Sequence, residues 1–191
     1  MIRKNQIMIA VLLVVSISMI AGCAGTTEKI VKTGDNVSVD YTGWLENGTI
    51  FDTSNATIAQ QAGMYEIGKA YTPISFIVGS GATISGFDNA VIGMKINETK
   101  NVTLTPDQAY GAYNSSLILP VPMSVLTSAN ITPVVNQTLY YNLQPVRVDH
   151  IVMNATDKNN SSVYIDFNSP MAGKTLKFMI TVRDIQEVNI S

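Results

Sequence analysis

The stretch DYTGWLENGTIFD, residues 40–52, decides the fold that this sequence predicts. Apolar and polar residues alternate from residue 37 to residue 41, which is the period of a half-buried strand. Asn47-Gly48 is a strong signal for a two-residue hairpin turn, because both residue types tolerate positive φ. The stretch therefore predicts a hairpin on which two aromatic side chains and a carboxylate line one small pocket: Tyr41, Phe51 and Asp52.

The first 22 residues are interpreted as a secretory signal peptide. Arg3 and Lys4 give a positive start, and residues 7–20 form an apolar segment of 14 residues. A transmembrane helix needs about 20 such residues, so the pattern favours a signal peptide. IAGC at residues 20–23 resembles a lipobox, and Cys23 is the only cysteine. We expect lipidation or another membrane attachment there, with residues 23–27 as a tether; a buried cysteine is the alternative.

Asparagines are concentrated in Asn-x-Ser/Thr sequons, the acceptors of N-glycosylation. Twelve of the 16 asparagines begin one, whereas the 33 serines and threonines would give about three by chance. The alternative, a polar surface rich in Asn and Thr, does not explain that spacing. We expect a glycosylated, exported protein on the outer face of an archaeal cell membrane. The twelfth sequon, at Asn189, lies at the chain end and is not counted among the candidate sites. The candidate sites are Asn36, Asn47, Asn55, Asn97, Asn101, Asn114, Asn130, Asn136, Asn154, Asn159 and Asn160.

Composition limits the partners of residues 23–191, which carry 10 basic against 14 acidic residues, a net charge of −4. There is no basic run and no interleaving of basic with aromatic residues, so nucleic acid is excluded as an expected partner. One cysteine allows no disulfide within the chain. About 165 residues suffice for one core, or for one core and a small satellite.

Alternation and turn signals predict an antiparallel, β-rich chain with two short helices. Residues 117–122 hold two prolines in an apolar run, which favours an edge strand or linker over a central strand. The predicted helices are 56–62 and 86–92, and the predicted strands are 37–45, 49–53, 74–78, 98–104, 137–142, 146–154, 162–166 and 175–185.

Three segments resemble FKBP-type peptidyl-prolyl isomerases: GDNVSVDYTGWLENGTIFD at 34–52, ISFIVGSGATISGFDNAVIGM at 74–94 and PDQAYG at 106–111. DFNSPMAGKTLKFMITVRDI at 166–185 is similar to the closing strand of the SlyD-like subgroup, and the loop 54–72 resembles that of archaeal members. The resemblance implies an α+β fold, a half-barrel of antiparallel strands wrapped on a short helix. It also implies a discontinuous catalytic domain, 28–112 plus 164–188, around a chaperone-like insert-in-flap domain at 113–163.

The resemblance implies a catalytic pocket between helix and sheet, lined by Tyr41, Phe51, Asp52, Ile84, Phe87, Tyr110 and Phe178. It implies further substrate contacts at Ile74, Phe76, Thr83 and Leu176. Phe87 stands where the family often has Trp, and Ile74 where an aromatic is common, so we expect a roomier cleft and weakened macrolide binding. No cofactor is implied. A metal site is not expected either, because the histidine-rich SlyD tail is absent and His150 is the only histidine.

Prolyl isomerisation suits such a pocket, since its barrier of about 18–20 kcal/mol comes from amide resonance and no proton need move. Catalysis requires tighter binding of the twisted amide than of either planar isomer. A dry aromatic pocket favours the twisted amide. The Ile84 N–H and the Tyr110 hydroxyl would hold substrate carbonyls, and Asp52 would organise polar groups without acting as a base.

Three functional hypotheses stay open at this point. The first is a membrane-anchored, monomeric prolyl isomerase whose insert helps unfolded, proline-containing exported polypeptides to fold. The second is a catalytically weak chaperone or peptide-binding module, and the third is an adhesive envelope glycoprotein. From pattern alone, Phe51, Phe87 and Phe178 fit a structural core better than a pocket. The apolar residues of the insert exceed what three short strands need, which indicates either an interaction surface or a separate small core.

Overall fold

The computed structural model describes residues 28–142, 144–152 and 161–187. The predicted signal peptide, Cys23 and the sequons at Asn154, Asn159 and Asn160 lie outside the described residues. Within those three ranges, no helix is long and apolar enough to cross a membrane.

Nine strands and three short α-helices make up the described fold, and all strand pairs are antiparallel. The helices are α1 (Ala56–Gln61), α2 (Ser85–Val91) and α3 (Met123–Ser128). The strands are β1 (Asn36–Leu45), β2 (Ile50–Thr53), β3 (Ile74–Ile77), β4 (Thr99–Leu104), β5 (Ile118–Pro122), β6 (Thr138–Tyr141), β7 (Gln144–Val152), β8 (Ser162–Asp166) and β9 (Leu176–Gln186).

The first sheet has the order β2-β1-β9-β4, and β3 pairs with the first half of β1 on the same edge as β2. Alternate residues of β9 face inward, so Phe178, Ile180 and Val182 are buried. They pack in one cluster with Phe87 and Val91 of α2. The predicted α+β class, with antiparallel strands wrapped on a short helix, is confirmed.

The turn between β1 and β2 differs from the predicted two-residue hairpin. Gly48 takes the left-handed conformation (φ +85°), but Asn47 does not. The Gly48 N–H donates to the Leu45 carbonyl, and the Asn47 side chain accepts from the Thr49 N–H. A longer turn of this kind needs one left-handed residue, whereas a type I′ turn needs two.

Three other sequon asparagines do adopt the left-handed conformation. Asn97, Asn130 and Asn136 have φ of 65°, 59° and 67°. Asn130 follows α3, where its N–H donates to the Thr127 carbonyl and so closes the helix. Asparagine tolerates this conformation because its short polar side chain bonds the local backbone.

The second sheet has the order β5-β8-β7-β6 and its own hydrophobic cluster, which includes Leu126, Val146, Val148, Val163 and Ile165. Helix α3 was not expected, because Pro122 precedes it and offers no capping side chain such as that of Asn55, which begins the equally short α1. The predicted segment 113–163 ends inside β8, since that strand continues to Asp166.

Two segments connect the sheets, residues 105–117 between β4 and β5 and residues 167–175 between β8 and β9. They are hydrogen-bonded to each other. The Gly173 N–H donates to the Gly111 carbonyl at 2.8 Å. Further out, the Asn168 side chain donates to the Asn114 carbonyl and accepts from the Asn114 N–H, both at 2.9 Å. The second sheet is therefore attached by two adjacent segments, directly after Tyr110.

Candidate functional site

A cleft of about 580 Å³ lies between the start of α2 and the first sheet. All seven residues predicted as catalytic line it, together with Ile74 and Thr83 from the predicted substrate contacts. They come from distant parts of the sequence, so the fold brings them together. The lining residues are Tyr41, Phe51, Asp52, Ile74, Ala82, Thr83, Ile84, Ser85, Phe87, Ala109, Tyr110 and Phe178.

Aromatic rings form the base of the cleft, with Phe87 at their centre. Its ring meets those of Tyr41 and Phe178 edge to face, with centroid distances of 5.8 and 5.3 Å. Phe51 meets Phe178 in the same way at 5.6 Å. Edge-to-face pairs are favourable because a positive ring edge meets a negative ring face. Phe87 and Phe178 are almost fully buried, so they are both core residues and walls of the cleft.

Gly43 on β1 allows two of these rings to approach the strand. A Cβ atom at this position would lie 2.7 Å from the ring of Phe51 and 2.8 Å from the ring of Phe178. Both distances are too short for carbon atoms in contact. A side chain at residue 43 would therefore push both rings out of the edge-to-face arrangement.

Among the residues that the structure describes, Asp52 is the only carboxylate that lines the cleft, and three groups donate to it. The Tyr41 hydroxyl donates to one oxygen at 2.6 Å. The Thr53 N–H and the Lys69 ammonium donate to the other, at 2.9 and 3.0 Å. Charge-assisted bonds of this kind are stronger than neutral ones, so they fix the orientation of the carboxylate.

The surroundings keep both tyrosine hydroxyls of the cleft protonated. Burial raises the pKa of Tyr41 well above its ordinary value, and the hydrogen bond to Asp52 raises it further. Burial also raises the pKa of Tyr110, with a smaller contribution from the negative charge of Asp52. Both hydroxyls are therefore hydrogen-bond donors at any physiological pH.

Two polar groups at the mouth of the cleft are available to a ligand. Within the described ranges, neither the Ile84 N–H nor the Tyr110 hydroxyl forms a hydrogen bond. The Thr83 hydroxyl is the one buried side-chain oxygen in the described part of the chain that has no partner. The Ser85 hydroxyl donates to the Gln108 carbonyl, which ties the start of α2 to the turn before Tyr110.

Two predicted substrate contacts lie elsewhere. Phe76 and Leu176 are buried in the core and do not line the cleft. The ring of Phe76 packs beneath that of Phe87 at 6.0 Å. A strand pattern shows which face a residue is on but not how deep it lies, so it could not separate these two from Ile74 and Phe178.

Four residues of the site were not among the predicted contacts. Ala82, Ser85 and Ala109 line the cleft with small side chains. Lys69 reaches Asp52 from a loop 17 residues further along the chain, where no periodicity predicts a contact. Among the residues with described placement, no group of three or more His, Cys, Asp or Glu side chains could hold a metal ion.

A second cavity, of about 430 Å³, lies between the second sheet and the segment returning from it. Its buried carboxylate, Asp166, accepts from Tyr113, Arg147 and Asn168. Burial opposes ionisation of Asp166, but these hydrogen bonds outweigh it and lower its pKa. The cavity has one aromatic wall, at Tyr113, so the concentration of rings is specific to the cleft at Asp52.

Comparisons with known proteins agree with this geometry. Residues 27–182 match the family model described as FKBP-type peptidyl-prolyl cis-trans isomerase. The chain is similar to the short-type peptidyl-prolyl cis-trans isomerase of Methanocaldococcus jannaschii, with 39% identity over 158 residues, 82% of this chain and 95% of that protein. It is 31% identical over 147 residues to FK506-binding protein 2 of Yarrowia lipolytica, and this alignment covers 67% of this chain and 93% of that protein. It is 32% identical over 122 residues to SlyD of Helicobacter pylori, 61% of each chain.

Proposed function

Because the chain belongs to the FKBP-type peptidyl-prolyl cis-trans isomerase family, we propose that the cleft at Asp52 accelerates X-Pro isomerisation in exported polypeptides. One observation carries this proposal: five aromatic rings and one fixed carboxylate line a single cleft. The cleft residues proposed as catalytic are Tyr41, Phe51, Asp52, Ile84, Phe87, Tyr110 and Phe178.

The chemistry follows from the nature of the barrier. Twisting the X-Pro bond breaks amide resonance, which makes the carbonyl less polar and less dependent on water. A cleft walled by Phe51, Phe87 and Phe178 gives the planar amide no replacement for water, so it favours the twisted form. The Ile84 N–H and the Tyr110 hydroxyl are placed to hold neighbouring substrate carbonyls, and Thr83 and Ile74 would complete the rim.

A catalytically weak peptide-binding module is the second candidate. It is favoured by Phe87 and Ile74, which make the cleft less aromatic than is usual in the family. Against it stands the similarity to the peptidyl-prolyl cis-trans isomerase of Methanocaldococcus jannaschii, at 39% identity over 95% of that protein. Activity on a short peptide separates the two candidates.

Asp52→Ala is expected to lower kcat/KM on a short X-Pro peptide about tenfold, an effect of about 1.4 kcal/mol. The variant leaves Tyr41 and Lys69 without their common acceptor, so the polar side of the cleft loses its order. Stability should change little, because the Asp52 side chain is 37% exposed and such ion pairs contribute about 0–1 kcal/mol. Peptide isomerisation and chemical unfolding measure the two effects.

Asp40→Ala is the matched control, since Asp40 lies on the neighbouring strand β1 and also forms an ion pair, with Arg183, but does not line the cleft. It should retain kcat/KM within about twofold. If the wild-type protein does not accelerate isomerisation of the peptide, the proposed isomerase activity is ruled out. An equal loss of kcat/KM in Asp52→Ala and Asp40→Ala would rule out a specific role for Asp52.

We also propose chaperone activity for the second sheet and its connections, with the division from the catalytic domain placed after Asp166. Of its apolar residues, Leu126, Val146 and Val148 form the small core. Others remain exposed, and an exposed apolar patch favours an interaction surface. The exposed ones are Leu119, Val125, Val134, Val135, Tyr140, Tyr141 and Val152.

Export, membrane attachment at Cys23 and N-glycosylation complete the proposal. Of the sequon asparagines with described side chains, seven are exposed and Asn36 is half-buried. None of these eight lines the cleft, so glycans on them would leave the cleft open. The exposed seven are Asn47, Asn55, Asn97, Asn101, Asn114, Asn130 and Asn136.

Cys23→Ser is expected to release the protein from the membrane fraction of its native host, because a thioether-linked lipid could no longer form. Immunoblotting of membrane and soluble fractions measures the release, and the intact mass of the purified protein reports lipid and glycan together. Unchanged membrane retention would contradict the anchor. A mass equal to that of the unmodified residues would contradict both modifications.

A further inference from the structure

Lys69 reaches the proposed catalytic carboxylate from a loop that holds none of the predicted cleft residues. It lies in the loop of residues 62–73, here called the rim loop, which joins α1 to β3. Its ammonium donates to Asp52 at 3.0 Å, on the carboxylate oxygen opposite the one that accepts from Tyr41. The carboxylate is thus held between a strand and a loop.

The rim loop has its own internal contacts, which hold Lys69 in place. The rings of Tyr65 and Tyr71 stack at 5.2 Å with an angle of 14°. The Tyr71 hydroxyl accepts from the Glu66 N–H at 3.0 Å and donates to the Met64 carbonyl at 3.4 Å. The Lys69 ammonium lies 5.4 Å from the centre of the Tyr71 ring, a cation–π contact.

Lys69 also compensates the one negative charge of the cleft. Its pKa is raised by the hydrogen bond to Asp52, so the ammonium is charged at physiological pH. Without it, the carboxylate would attract water and repel the carbonyl oxygens of a substrate. Both effects oppose a cleft whose proposed chemistry depends on dryness.

We propose that Lys69 is a positioning residue for the isomerase: it holds the Asp52 carboxylate towards Tyr41, neutralises its charge and ties the rim loop to the edge of the cleft. This inference rests on the proposed function of the cleft. Lys69 need not touch the substrate, because it acts through Asp52. The arrangement makes catalysis sensitive to ionic strength, since both partners are partly exposed and salt screens exposed pairs.

The test compares Lys69→Met and Lys69→Arg in the full chain, with kcat/KM measured on a short X-Pro peptide. At low salt, Lys69→Met should lower kcat/KM about fivefold. Lys69→Arg should keep kcat/KM within about twofold of wild type because it keeps the charge. The wild-type advantage over Lys69→Met should shrink as the Debye length falls from about 30 Å at 0.01 M to about 3 Å at 1 M salt. Lys177→Met, an exposed lysine on β9 that does not line the cleft, should match wild type at both salt concentrations.

A double-mutant cycle with Asp52→Asn shows whether Lys69 acts through the carboxylate. In the Asp52→Asn background, Lys69→Met should cause no further loss. If the losses of kcat/KM from Lys69→Met and Asp52→Asn are additive, Lys69 does not act through the carboxylate and the positioning role is overturned. A Lys69→Met variant as active as wild type at low salt would overturn it too. Neither result would contradict the proposed isomerase activity. A wild-type protein inactive on the peptide would overturn the proposed function and this inference together.

Discussion

Deleting residues 114–168, with two glycines joining Tyr113 to Ser169, should slow the catalysed refolding of a proline-limited protein about a hundredfold. The same deletion should keep kcat/KM on a short peptide within about threefold. The expected contrast arises because a tethered binding surface raises the local concentration of a large substrate, by factors of about a hundred or more. A short peptide has nothing to bind there and reaches the cleft alone.

The structure supports the design of this deletion. The two sheets have separate hydrophobic clusters, and the ends to be joined already lie together, since Asn114 and Asn168 are hydrogen-bonded. In the full chain, Val134→Ser and Tyr140→Ser should reproduce part of the loss, because these side chains are 61% and 76% exposed. Equal losses on peptide and protein would contradict a chaperone role for the second sheet.

Phe178→Ala is expected to lower kcat/KM on the peptide about a hundredfold and to destabilise the protein by about 3–5 kcal/mol. The ring is 4% exposed and touches both Phe51 and Phe87, so its loss opens the cleft wall and leaves a cavity in the core. Functional and structural effects therefore occur in one variant and must be separated by a control.

Ile180→Ala provides that control. Ile180 is fully buried two residues further along β9, and it does not line the cleft. It should lose about 2–5 kcal/mol of stability but keep peptide activity within about threefold. Assays at about 10 °C, where the uncatalysed reaction takes minutes, allow both folded variants to be compared. Equal activity losses would mean that Phe178 matters only for packing.

The strands and the central helix were predictable because their signals are local. Along β9, the alternation of apolar and polar residues matches the buried and exposed faces. The cleft was predictable only through family motifs, since no pattern within the chain relates Tyr41 to Phe178. Once those motifs were recognised, they gave residue identities but not depth, which is why Phe76 and Leu176 were expected in the cleft and lie in the core.

What could not be predicted depends on tertiary contacts. The position of Lys69 follows from how the rim loop folds on itself through Tyr65 and Tyr71, and no spacing in the sequence encodes that path. The turn at Asn47-Gly48 was assigned the wrong conformation because the same dipeptide suits two loop lengths. Helix α3 begins after Pro122 without a capping side chain, so no local signal marks it, and it forms against the core of the second sheet.

The left-handed asparagines have a practical consequence for testing the proposed N-glycosylation. At Asn97, Asn130 and Asn136 the usual Asn→Gln exchange would place a longer side chain where backbone strain is about 1–3 kcal/mol. A lost glycan and a damaged turn would then look alike in an expression assay. Replacing the hydroxyl residue of each sequon, at Thr99, Thr132 and Thr138, removes the sequon and keeps the asparagine at the left-handed position.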